Sequence, residues 1–264
     1  MKTLAVCADD YGLSAPISDG IVRLARQGRL DAVSCLVTAA RWPADATRLG
    51  GLRVAIGLHL NLSEGAPLSA ALARHWPRLP ALPALILRAH AGALPRDALR
   101  AEIDAQLDAF RAATGRAPDF VDGHQHVHHL PGVRQALLER LAAPTAVRAT
   151  GRVAGPGWAL KRWLIEATGG RALQRALAAR GLRHNAVLVG AYDFAAADYG
   201  ALVRRWLAAL PERGTLLFCH PGETDPTGSD PIGAARVREL AYLGSEAFAR
   251  DLAAAGVVHG PAWR

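Results

Sequence analysis

The densest chemistry in the chain lies at Asp122-Gly123-His124-Gln125-His126-Val127-His128-His129, where one carboxylate and four histidines fall within eight residues. The stretch follows Phe120-Val121, a short apolar run of the kind that ends a β-strand. Side chains alternate between faces along extended backbone, so Asp122, His124, His126 and His128 are expected on one side. Imidazole and carboxylate are the usual protein ligands of a catalytic divalent ion, and such a site keeps a position open for water or substrate. The same residues could instead form a His-rich surface loop that binds nothing.

Polar residues also collect where other apolar runs end. Residues 3–8 lead into Asp9-Asp10, residues 53–62 carry His59, and residues 214–219 lead into His220. Each run reads as a buried strand, with further strands expected at 33–38, 146–148 and 187–189. Helical spacing predicts helices at 17–27, 42–49, 95–114, 133–141, 199–210, 236–243 and 246–255, with two more inside 152–183 separated by Gly169-Gly170. Alternating strands and helices imply parallel strands joined by crossovers. An α/β fold follows, a distorted TIM-like (β/α) barrel in a single domain, whose strand ends share one rim. Adjacent Asp9 and Asp10 would face opposite ways in a regular strand, so the backbone must turn for both to reach that rim. Residues 65–93, with four prolines, read as an insertion over the mouth of the barrel.

The 264 residues suffice for one large domain, and 51% hydrophobic with 20% charged residues is ordinary for a soluble enzyme. The net charge of +8 comes mostly from scattered arginine. No tight basic run with interleaved aromatics appears, so nucleic acid is not an expected partner. Cys7, Cys35 and Cys219 are far apart and lie inside apolar runs, which suits buried thiols in a reducing compartment. No signal peptide or membrane span is expected, and the cytoplasm is the expected location.

Four blocks taken together resemble the YdjC-like carbohydrate deacetylases, a family that includes chitooligosaccharide deacetylases and deacetylases associated with hopanoid glycolipids. The blocks are Ala8-Asp9-Asp10-Tyr11-Gly12-Leu13-Ser14, Gly57-Leu58-His59-Leu60-Asn61-Leu62-Ser63, Asp122-Gly123-His124-Gln125-His126-Val127-His128 and Cys219-His220-Pro221-Gly222. They run in order between residue 3 and about residue 245. Tyr11, Gly123 and Ser63 stand where Phe, Ser and Thr are common in the family, and none of these changes removes a ligand. Residues 67–93 and 152–187 match only loosely.

The resemblance implies a barrel that binds one divalent ion, commonly magnesium with zinc as the other candidate, and removes acetyl from an N-acetylated sugar, either a chitooligosaccharide or an N-acetylglucosaminyl glycolipid. Carried over by position, it makes Asp10, His59 and His124 the metal ligands, Asp9 the general base and His220 the general acid. Amide hydrolysis needs an activated water, charge stabilisation on the carbonyl oxygen and a proton for the departing amine, and this set could supply all three. Asp9 could alternatively orient a ligand histidine. Asp122, His126 and His128 are expected to support the ligands or touch substrate, since a third imidazole would crowd the open position. Arg148 would grip a substrate group or pair with a structural acid. The competing readings are another metal-dependent hydrolase, such as a phosphoesterase, and a non-catalytic sugar-binding protein of the same fold. A homodimer is left open.

Overall fold

The computed structural model describes residues 2–141, 143–211 and 214–263. Eight parallel strands form one curled sheet: β1 (Lys2–Tyr11), β2 (Ala32–Cys35), β3 (Ala55–Leu60), β4 (Phe120–Gly123), β5 (Ala146–Val147), β6 (Val187–Val189), β7 (Thr215–Cys219) and β8 (Val257–His259). The spatial order is β5-β4-β3-β2-β1-β7-β6, with β8 beside the start of β1. Helices cover the outer face, so both faces of the central strands are buried. Their sequences accordingly read as continuous apolar runs rather than alternating ones.

The edge strands β5 and β6 are drawn together by isolated bridges rather than by a ladder. Val147 pairs with His184, and Val153 pairs with Leu188 of β6. Between them the Asn185 side chain accepts from the Ala149 amide at 2.7 Å and donates to the Ala149 carbonyl at 2.9 Å. This seam is what distorts the barrel.

The Arg96–Thr114 helix buries Leu99, Ile103, Leu107 and Phe110, as its spacing predicts, and ends at Gly115. It also buries two polar side chains that its apolar stripe does not announce. Gln106 holds the Asn61 amide and carbonyl at 3.0 and 2.7 Å, while Glu102 accepts from the amides of Leu68 and Ser69. This helix therefore fixes the loop that leaves β3. Residues 65–93 fold into the helices Ala70–His75 and Leu82–His90, the first packed on the Arg96–Thr114 helix. The two helices expected inside 152–183 are Ala159–Ile165 and Arg171–Ala179, joined through Gly169 at φ +156°. A side chain at Gly169 would press on the His129 carbonyl, so only glycine lets this turn close on the rim.

Three expectations change. The 42–49 segment is a short helix, Trp42–Ala46, followed by one 3₁₀ turn. The C-terminal helices are followed by β8, which the sequence reading did not include. The histidine run is not strand: β4 stops at Gly123, and His124–His129 forms a 3₁₀ segment in which Gln125 and His126 take left-handed backbone. Alternation then no longer applies, and the histidines diverge. No helix among the described residues is long and apolar enough to cross a membrane.

Candidate metal centre and active site

The site begins with a bulge in β1. Cys7 and Ala8 pair with Ala32 and Val33, yet Tyr11 pairs with Cys35, so β1 carries one extra residue. Asp10 absorbs the irregularity with φ +69°, a conformation that aspartate tolerates better than most residues. The turn required to bring both neighbouring carboxylates to the rim is thus present.

Asp10 faces two imidazoles. Its Oδ1 lies 3.1 Å from His124 Nδ1 and 3.5 Å from His59 Nε2. Donors about 2.0–2.2 Å from a shared ion stand about 3–3.5 Å apart at tetrahedral or octahedral angles, so this spacing suits one divalent cation. The three donor atoms all lie within 4.8 Å of one another, and all three residues are buried. Two imidazoles with one carboxylate also leave coordination positions for water or substrate.

The surrounding groups fix the tautomers. His59 Nδ1 is 2.6 Å from Asp122 Oδ1, with Ser34 Oγ 2.9 Å from the same nitrogen and 2.5 Å from the same carboxylate oxygen. The Nδ1–H therefore donates to Asp122 and turns Nε2 toward Asp10, where an ion displacing the Nε2 proton would find the lone pair. His124 has the opposite arrangement, with Nδ1 inward and Nε2 3.3 Å from Glu64 Oε1. Arg236 donates to the other oxygen of Asp10 at 2.8 Å.

The electrostatics favour a cation between these side chains. Burial opposes charge on His59, but Asp122, Asp9 and Asp10 outweigh it and raise its pKa to about 10. On His124 burial is again opposed, here by Asp10 and Glu64, and the pKa rises to about 9. Burial also opposes charge on Asp10, yet Arg236 and the two imidazoles hold it well below the usual carboxylate range. A field that draws positive charge onto imidazoles is one that would hold a metal ion.

Asp9 points to a different partner. Arg148, fully buried, grips both oxygens of Asp9 at 2.6 and 2.7 Å and reaches Asp122 Oδ2 at 2.6 Å. With its guanidinium engaged by acids and no exposed surface, Arg148 takes the second of its two expected roles here, pairing with buried acids. Its own chemistry is to lock two carboxylates that flank the three donors.

His220 follows β7 and is half-buried, its ring edge-on to Phe194 and Phe218 at centroid distances of 5.2 and 5.6 Å. Its Nδ1 is buried without a hydrogen-bond partner. Burial lowers its pKa to about 4 despite Asp10 and Asp9, so the resting ring is neutral. The backbone amide of His220 donates to buried Glu239 at 2.5 Å, and Tyr192 donates to the other oxygen of Glu239.

His126 lies edge-on to Phe218, and its pKa is pushed down by burial and then by His129 and Arg148. His128 is 2.9 Å from the Arg148 carbonyl through Nε2, so it braces the strand that carries Arg148. A side chain at Gly123 would come within 2.8 Å of the His128 amide, which explains glycine at that position. The sequence reading passed over Ser34, Glu64, Arg236 and Glu239. The available signals were a hydroxyl inside an apolar strand and two charges on the buried stripe of a helix.

The fold is a parallel α/β barrel whose rim gathers two histidines and an aspartate that could hold one metal ion, with a second aspartate held beside them. The sequence model of the YdjC-like protein family matches residues 3–254, and the chain belongs to that family. A carbohydrate deacetylase of Mus musculus is 41% identical over 152 residues, covering 53% of this chain and 47% of the relative. A chitooligosaccharide deacetylase of Yersinia enterocolitica is 33% identical over 142 residues, covering 53% of this chain and 56% of the relative. The chain thus spans about half the length of the relatives it matches. In fold it is similar to a candidate cellobiose-phosphate cleavage protein of Enterococcus faecalis V583, with a TM-score of 0.75, 19% identity, and coverage of 99% of this chain and 97% of that one.

Proposed function

We propose that the chain removes the acetyl group from an N-acetylated sugar by hydrolysis, with Asp10, His59 and His124 holding one divalent ion. The observation that carries this reading is the convergence of these three donors, with buried Asp122 bonded to His59, buried Arg236 bonded to Asp10, and the exposed Glu64 beside His124. The names of the deacetylase relatives support the reaction class, and some of them name a chitooligosaccharide; an N-acetylglucosaminyl glycolipid is the other substrate that the family resemblance implies. Magnesium is the ion that the family resemblance implies, and zinc would suit the same donors. Such an ion, when bound, supplies polarisation of the acetyl carbonyl and acidification of a water.

The chain's own residues do the rest. Asp122 keeps the His59 Nε2 lone pair turned to the centre, and Arg236 fixes the Asp10 carboxylate from its far oxygen. Arg148 holds Asp9 rigid at the rim, where Asp9 takes the proton of the attacking water. His220, neutral at rest, receives the proton that Asp9 took from the water and passes it to the departing sugar nitrogen, which leaves both groups as they began. His126 and His128 shape and brace the rim.

The test is acetate release from short chitooligosaccharides and N-acetylglucosaminyl lipids, using chelator-treated protein with single divalent ions restored one at a time. Ion-dependent acetate from one class is expected. A stoichiometrically bound ion with no acetate from any substrate would overturn the reading and favour a phosphoester instead.

A further inference from the structure

The Ala159–Ile165 helix turns its apolar residues outward. Leu160, Trp163 and Leu164 are 69%, 53% and 45% exposed. They sit at i, i+3 and i+4 and so share one face of the helix. Scattered exposed apolar residues need no explanation, but three bulky ones on a single helix face, a tryptophan among them, mark a surface made to meet something.

The charge of the segment that carries the stripe is equally uneven. Residues 152–183 contain seven Lys or Arg against a single acid, Glu166, so six of the chain's eight excess positive charges lie in this segment. Arg152, Arg171, Arg175, Arg180 and Arg183 are all exposed. Glu166 is spent on one of them, lying 2.7 Å from Arg171. Apolar residues with a tryptophan, set among arginines on a surface segment, are the composition of an interfacial element that seats in the headgroup region of an anionic bilayer.

The element is tied to the rim on both sides. Lys161 Nζ lies 4.7 Å from the centre of the Phe194 ring, and Phe194 meets the His220 ring edge-on. The Leu164 carbonyl accepts from the Thr168 hydroxyl, which lies 3.1 Å from His129 Nε2. We infer that the Leu160–Trp163–Leu164 stripe, on a segment with this excess of exposed arginine, docks the protein on an anionic lipid bilayer and turns the strand-end rim toward it. This docking is independent of the reaction proposed above, because it is read from lipid binding alone.

The experiment is co-sedimentation of the full chain with vesicles of phosphatidylcholine alone and of phosphatidylcholine with 30% phosphatidylglycerol, at low and at 0.5 M salt. The expected result is pelleting with the anionic vesicles only, weakened at least tenfold by salt. A Leu160→Ser/Trp163→Ser double variant should lose at least tenfold in vesicle affinity while its melting temperature stays near wild type, since neither side chain is in the core. Arg171→Gln/Arg175→Gln should lose affinity for the anionic vesicles without gaining any for the neutral ones. Pelleting equally with both vesicle types, with neither, or undiminished in the Leu160/Trp163 variant would overturn the inference. So would a homodimer that the same variant splits, because a second copy would then own the face.

Discussion

Two triplets of metal-capable side chains sit next to each other at the end of β1, and they differ in what neutralises them. Cys7, Asp9 and Asp122 come within 4.8 Å of one another, as do Asp10, His59 and His124. The first triplet surrounds a guanidinium: Arg148 Nη2 lies 3.1 Å from Cys7 Sγ and 2.6 Å from an oxygen of each carboxylate. Among the described residues the second has no fixed cation between its inward-facing donors, and Arg236 reaches only the outer oxygen of Asp10. Clustering of ligands therefore does not by itself define a metal centre. A cation built into the chain closes one cluster to metal, and its absence between the donors leaves the other suited to an ion.

Asp10→Asn breaks this comparison most severely. Asparagine tolerates the left-handed backbone at position 10, so the change removes charge with little added strain. Bound metal, measured by elemental analysis after dialysis, should fall from one ion per chain toward none, and acetate release should vanish with it. A full complement of ion in that variant would put the centre elsewhere. Asp9→Asn should do the opposite, retaining the ion while turnover falls by about 10²–10⁴-fold, the usual range for a lost general base. Full turnover there would sink the assignment of Asp9.

Arg148→Met leaves two buried carboxylates without their cation and should cost about 3–5 kcal/mol in urea denaturation, with Arg148→Lys between the two. Unchanged stability would mean that the guanidinium is not what holds the first triplet together.

A third buried carboxyl sharpens the contrast. Glu239 accepts from Tyr192 and from the His220 amide but bonds to no guanidinium, and burial raises its pKa from 4.5 to about 7. The folded protein thus holds a proton on Glu239 that the unfolded chain releases near pH 4.5. The resulting stability is fully present below that pH and is lost as pH rises through about 7, by about 3 kcal/mol in all. Glu239→Gln should flatten this part of the stability profile between pH 5 and 8. An identical slope in the variant would assign the loss to another group.

The fold was legible wherever both faces of a strand are buried, because runs such as 3–8 and 214–219 then have no competing pattern. The turn at Asp9-Asp10 was also readable, since period-two alternation forbids both carboxylates from reaching one rim without it. The same alternation failed at His124–His129. Left-handed backbone at Gln125 and His126 belongs to residue types that do not announce it, and it sends His124 to Asp10, His126 to Phe218 and His128 to the Arg148 carbonyl. Ser34, Arg236 and Glu239 were hidden because tertiary contact alone gives them their roles. Arg236 and Glu239 lie on the stripe that continues through Leu240 and Leu243, where charge on a buried helix face marks an intended partner.

The seam between β5 and β6 bears on how this barrel could be varied. The carbonyl of Arg152 accepts from the Leu188 amide, and that of Arg183 accepts from the Val147 amide. The segment between them therefore leaves and re-enters the barrel at one stitch, beside Asn185. Residues 152–183 form an architectural cassette: their exposed positions can be varied while β1 to β4 and β7, which carry Asp9, Asp10 and His59 and lead into His124 and His220, keep their register. A graft would need to preserve the two carbonyls, the asparagine clip, the Gly169 turn against His129 and the buried Leu173 and Leu177, so the segment is transplantable between barrels as a unit with the face it packs on.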